Sequence, residues 1–135
     1  SSINKGDNIC ILGDYDVDGA TSSSILKLFF DHYHIKSEIY IPDRLKEGYG
    51  PNRTAIDSFL EKGIKTFITV DCGATSIDVM DYADSKFMKA IIIDHHKVDE
   101  PLPKCSAHIN PSRKEDDSSL NDLAAVGLTF VFILN

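Results

Sequence analysis

Short apolar runs recur along the chain, and three of them close on an aspartate. "ICILGD" ends at Asp14, "KTFITVD" at Asp71 and "KAIIID" at Asp94. Each has the length and the β-branched content of a buried strand. Segments of helical period separate them. "TSSSILKLFFDHYH" places Leu26, Phe29, Phe30 and Tyr33 on one face. "NRTAIDSFLEKG" is amphipathic through Ile56, Phe59 and Leu60, with Gly63 as its stop. "TSIDVMDYADS" carries Thr75 and Asp78 at capping-box spacing. "SEIYIP" and "AHIN" read as two further short strands, and "LAAVGLTFVFILN" as a strongly apolar last helix. Alternation of this kind predicts an α/β domain: a parallel five-stranded sheet with right-handed crossovers and helices on both faces. The near-continuous apolar strands agree, because strands covered on both sides have no polar face. The length, 135 residues, suits one domain over 1–135.

In such a sheet ligands bind at the carboxyl ends of the strands. One edge therefore receives Asp14, Asp16 and Asp18 from "DYDVDG", Asp71 from the third strand, and Asp94, His95 and His96 from the fourth. The hexapeptide alone is ambiguous. A calcium loop of the EF-hand type needs a Glu at its twelfth position, where Ile25 stands, and a helix before it, where a strand is predicted. A phosphatase of the D-x-D-G-T pattern needs Thr where Ala20 stands. The remaining readings are a polar turn and a metal site. Electrostatics favours metal: five carboxylates crowded on one edge repel unless protonated, solvated or neutralised by cations. Carboxylate with imidazole and without thiolate suits Mn²⁺, and an all-oxygen shell suits Mg²⁺. In an extended segment Asp16 and Asp18 share a side, so they are expected to serve two ions with Asp71 between them. Two ions about 3.5–4 Å apart are the usual arrangement for in-line displacement at phosphorus.

Composition narrows the classes. No segment approaches the ~18 apolar residues of a membrane span, and "SSINKGDN" carries no signal-peptide pattern. Three cysteines without C-x-x-C spacing argue for a reducing, cytoplasmic setting and against a disulfide framework. A net charge of −7 argues against a generic basic nucleic-acid surface. A phosphate-bearing partner would need cations or other parts of a protein to be held.

"GDYDVDGAT", "TVDCG" and "IIDHHK" resemble the first three motifs of the DHH phosphoesterase superfamily, in order, and Asp94-His95-His96 is the signature itself. "RLKEGYG", "HINPSR" and "DLAAVGLTF" extend the resemblance over nearly the whole chain, toward the RecJ-type single-strand-specific exonucleases. The resemblance implies a Rossmann-like DHH domain with two Mn²⁺ or Mg²⁺ ions. It implies one ion each for Asp16 and Asp18, with Asp71 bridging and His95 on the second. It gives His96 the substrate phosphate and Asp94 the role of orienting a histidine. Many superfamily members carry a histidine where Leu12 stands here, so Asp14 or water is expected to complete that shell. Two readings stand for Arg44, a phosphate clamp and a surface loop residue, and two for Tyr49, base stacking and loop packing. The activity implied is 5′-to-3′ degradation of single-stranded DNA in repair and recombination, with a repair helicase or single-strand-binding protein as partner. Two rivals remain. One is a DHH hydrolase of short oligonucleotides, phosphoadenosine-phosphate or cyclic dinucleotides. The other is a non-catalytic DHH-fold replication scaffold, against which the intact acids argue. The superfamily's fourth motif, an aspartate, has no convincing match after His96. That lack and the apolar final segment lead to the expectation that the chain is a piece of a longer protein, lacking a nucleic-acid-gripping domain and a poor nuclease by itself.

Overall fold

A computed structural model describes Gly6 and residues 8–135. The elements run β1 (Ile9–Gly13), α1 (Val17–His32), β2 (Ser37–Tyr40), α2 (Arg53–Glu61), β3 (Thr66–Val70), α3 (Ile77–Ser85), β4 (Lys89–Ile93), β5 (Ala107–Ile109) and α4 (Ala125–Leu134). The strands form one five-stranded sheet in the order β2-β1-β3-β4-β5, with every pairing parallel. The α/β architecture expected from the alternation is therefore present. No helix among the described residues is long and apolar enough to cross a membrane.

Alternate strand residues feed two cores. Cys10, Leu12, Phe67, Ala90 and Ile92 face Ile56 and Phe59 of α2 and Met80 and Ala83 of α3. Ile9, Ile11, Ile68, Val70 and Ile93 face Leu26 and Phe30 of α1 and Leu128 of α4. All five residues of both β1 and β3 are buried. Each large apolar side chain so removed from water contributes about 1.5–3 kcal/mol. The sheet is thus held rigid from both sides, which fixes what its strand ends carry.

Local chemistry sets the helix ends. The Asn52 side chain accepts the amide of Ala55 at the start of α2, and Gly63, at φ +71°, reverses the chain after it. Two expectations need correction. The capping box of Thr75 and Asp78 does not form: α3 begins at Ile77 behind Ser76, so Asp78 sits one position short of the place such a box requires. Tyr33 is not on the buried face of α1 either. The helix ends at His32, and Tyr33 turns outward, 56% exposed, with its ring 4.9 Å from that of Phe29.

The strand order reverses direction at β1, so β1 and β3 lead their crossovers to opposite faces and leave a crevice beyond their carboxyl ends. The register levels those ends: Gly13 pairs with Val70, Val70 with Ile93, and Ile93 with Ile109. Asp14, Asp71, Asp94 and Asn110, one step further on, consequently emerge side by side.

Candidate metal centre

The hexapeptide does not stay extended. α1 starts inside it at Val17, with Asp16 as N-cap accepting the amide of Gly19 at 2.9 Å. Asp18 therefore lies in the first helical turn, and the expectation of an extended run with Asp16 and Asp18 on one side is corrected. The cause is glycine. A Cβ on Gly19 would come within 2.5 Å of the Asp14 carbonyl oxygen, and one on Gly13 within 2.1 Å of Ser23 Oγ. Only a bare backbone lets α1 turn back this tightly over the end of β1.

Asp71 is the hub. It is 1% exposed and adopts φ +60°, a left-handed conformation uncommon outside glycine. Its amide donates to the Ile93 carbonyl at 2.9 Å, and the Tyr49 hydroxyl donates to its carbonyl at 2.8 Å. His95 Nε2 stands 3.2 Å from Asp71 Oδ1 and 3.5 Å from Asp18 Oδ2. Atoms of Asp14, Asp16 and Asp71 lie within 4.8 Å of one another, and so do atoms of Asp71, His95 and His96. Asp71 belongs to both groups.

Asp94 is used up locally. Its Oδ2 accepts the Ala74 amide at 3.0 Å. Its Oδ1 takes the amides of His95 and His96 and stands 2.7 Å from His96 Nδ1. The residue thus stitches the β4 loop to the β3 loop and orients the imidazole of His96. Asp18 is engaged on both oxygens, by the amides of Ala125 and Val126 at 2.9 and 2.8 Å. Arg44 lies over the ring of Tyr15, 4.8 Å from its centroid. Tyr49 turns an edge toward His96, with centroids 6.2 Å apart.

Two supports have no counterpart in the sequence reading. Asn110 Nδ2 donates to the His96 carbonyl at 3.0 Å, and Ser112 Oγ donates to the His95 carbonyl at 2.9 Å. Both come from "NPS", immediately after β5. A short strand closing on an Asn-Pro turn at the same sheet edge is the signal that points to them.

Charge is the dominant problem of the site. Burial first, then the charges of Asp18 and Asp16, push the Asp71 carboxyl up to about 8. Burial also raises Asp14. Asp16 is held below the usual carboxylate range, chiefly by the Gly19 amide. For His96 burial opposes the charged form, but the hydrogen bond and charge of Asp94, with Asp71 and Asp14, outweigh it and raise the imidazole. Asp71 Oδ1 is buried without a hydrogen-bond partner. The His95 ring nitrogen 3.2 Å away is not aligned to donate to it. A buried carboxylate oxygen without an aligned donor, with neighbours of like charge and two imidazoles, fits a divalent cation well. Thiolate ligation plays no part, since Cys72 is fully buried and burial drives its thiol well up.

Fold and site together define a parallel α/β domain with a carboxylate–imidazole cluster, fit to hold a divalent cation, at its topological switch point. The chain belongs to the DHH family: the profile of the "DHH family, N-terminal domain" matches residues 8–134. It is 37% identical over 129 residues to the single-stranded-DNA-specific exonuclease RecJ of Bacillus subtilis, covering 96% of this chain and 16% of that protein. It is 31% identical over 135 residues to RecJ of Escherichia coli, covering 99% of this chain and 23% of that one. Among solved structures, exonuclease RecJ bound to manganese superposes with a TM-score of 0.81 at 29% identity, covering 95% of this chain and 32% of that chain. The chain thus spans less than a quarter of the length of these two relatives.

Proposed function

We propose that this chain is the metal-binding half of the catalytic centre of a single-strand-specific DNA exonuclease that works from the 5′ end. The observation that carries the proposal is the double membership of Asp71, which joins Asp14 and Asp16 on one side to His95 and His96 on the other. In this reading two divalent ions, Mn²⁺ or Mg²⁺, are held by Asp14, Asp16 and Asp71 and by Asp71, Asp18 and His95. When bound, they acidify water and offset charge on the phosphoryl oxygens. His96, its Nδ1 fixed by Asp94, presents its other nitrogen to a phosphate oxygen. Arg44 and Tyr49 stand at the rim, where a phosphate and a base would pass. The supporting comparisons are with proteins named for this substrate. The chain's charge of −7 leaves the gripping of DNA to other parts of the protein or to a helicase or single-strand-binding partner. Three free cysteines suit a cytoplasmic setting.

Isothermal titration with Mn²⁺ tests the centre. Uptake by the wild type is expected, with most of it lost in Asp71→Ala. A nuclease assay then tests the substrate, run side by side on this chain and on the protein extended to the length of its relatives, using 5′-phosphorylated single strands, the same strands in duplex, and short oligonucleotides. Shortening of long single strands from the 5′ end supports the proposal. Cleavage confined to short oligonucleotides would favour the small-substrate branch of the family.

A further inference from the structure

We propose that the first turn of α4 is a working part of the metal centre: the Ala125 and Val126 amides position the Asp18 carboxylate, so metal binding and α4 docking reinforce each other. The proposal rests on the metal reading above and extends it to an element that carries none of the ligands.

α4 has no cap of its own. Ala124 precedes it and offers no side-chain acceptor, and its first turn carries no acid. The first amides of any helix lack partners within the helix. Here two of them are met by one carboxylate, 107 and 108 positions earlier in the chain. Each Asp18 oxygen takes one amide, Oδ2 that of Ala125 and Oδ1 that of Val126. A carboxylate offers about four acceptor sites, so about two remain. Oδ2 is also the oxygen 3.5 Å from His95 Nε2. The positive end of the α4 dipole faces the same carboxylate. α1 carries Asp18 in its first turn, and α1 is the principal packing partner of α4. One side chain therefore spans the metal centre and the helix that closes this face of the sheet.

A carboxylate held by two amides has its direction set before a cation arrives. Such supporting bonds are worth about 10–100-fold in metal affinity. Linkage makes the effect reciprocal: whatever the helix contributes to metal binding, the metal returns to the docking of the helix.

Two measurements on the full 135-residue chain test this. The first is hydrogen exchange, read by mass spectrometry, of the peptide spanning 123–134, with and without Mn²⁺. Exchange is expected to slow by about fivefold or more on metal addition. The second compares Ala125→Pro with Ala125→Gly by Mn²⁺ titration. Ala125 is the first helical residue, where proline suits a helix, and Ala124 at φ −67°, ψ 166° already has the backbone that precedes proline. Proline deletes the amide that Asp18 accepts, whereas glycine keeps it and loosens the helix. Ala125→Pro is expected to weaken Mn²⁺ binding by about tenfold or more, and Ala125→Gly by about twofold at most. Metal taken up with no change in α4 exchange overturns the proposal, whether or not the proline variant folds. Equal weakening in the two variants also overturns it, because helix stability alone would then explain the loss. No Mn²⁺ uptake by the wild type would instead sink the metal reading itself.

Discussion

Asp71 occupies a backbone conformation that costs about 1–3 kcal/mol for a residue with a side chain, and neighbouring bonds hold it there. Tyr49→Phe removes the hydroxyl that donates to its carbonyl. The expected result is a several-fold loss of Mn²⁺ affinity by titration with only about 1 kcal/mol lost from stability in urea. The pH response follows from the same cluster. Asp71 binds protons more tightly folded than unfolded, so without metal it opposes folding as pH rises from about 4 through about 8, and Asp14, also raised by burial, acts in the same direction. His96 acts in the same direction, since its raised imidazole stabilises the fold below its ordinary value and stops doing so above the folded one. Asp16 acts oppositely, but its contribution is complete before this window opens. In chelator the melting temperature is expected to fall between pH 5 and pH 8, and in saturating Mn²⁺ the fall should be reduced or reversed. The convergence of Asp14, Asp71 and Asp94 is legible in the sequence because apolar runs of similar length deliver them to one edge. Asn110 and Ser112 are legible only as the Asn-Pro turn that closes β5 at the same edge; what they do there is not, because a hydrogen bond to a main-chain carbonyl leaves no trace in residue type.

Among the elements, the turn from β1 into α1 is the least tolerant of change. Gly19→Ala would set a methyl 2.5 Å from the Asp14 carbonyl oxygen and 2.7 Å from its amide, both backbone atoms that cannot step aside. Overpacking of this kind costs about 1–3 kcal/mol, and urea denaturation is expected to show the upper end of that range. Metal affinity should fall with it, since Asp14 and Asp16 flank the turn. Alternating aspartates in "DYDVDG" read as an extended strand end, but a helix begins there. The reading misses this because period two is a pattern of side chains. The N-cap bond from Asp16 to Gly19 and the bare backbone of Gly13 and Gly19 decide the conformation instead. α2 is legible to within a residue or two because Asn52 and Gly63 mark both its ends with local chemistry. α3 lacks such a bond at its start, and its boundary is correspondingly displaced from the expected cap.

For the whole molecule, the cation should act as a structural component. Binding to the folded state alone adds stability as RT ln(1 + [L]/Kd), about 2.7 kcal/mol at a hundredfold excess over Kd. Differential scanning calorimetry with Mn²⁺ and with chelator should show that difference as a shift of several degrees for a domain of this size. A melting temperature indifferent to both would mean that no preformed site exists. Charge points the same way: a chain at −7 would gain +4 from the two divalent ions proposed and reach −3, which would ease self-repulsion without making the surface basic. The strand order has one more consequence, and it concerns time. β2 pairs with β1, β3 with β1, β4 with β3 and β5 with β4. As the polypeptide leaves a ribosome, at about 5–20 residues per second, each strand therefore meets a neighbour that has already been made. The pairing thus allows the sheet to be built outward in the order of translation, with no described strand waiting for a partner still to be synthesised. Every proposed ligand has been made once His96 emerges, but Asp18 gains its two amide donors only when Ala125 and Val126 follow, so the metal centre is completed by the last helix to be synthesised.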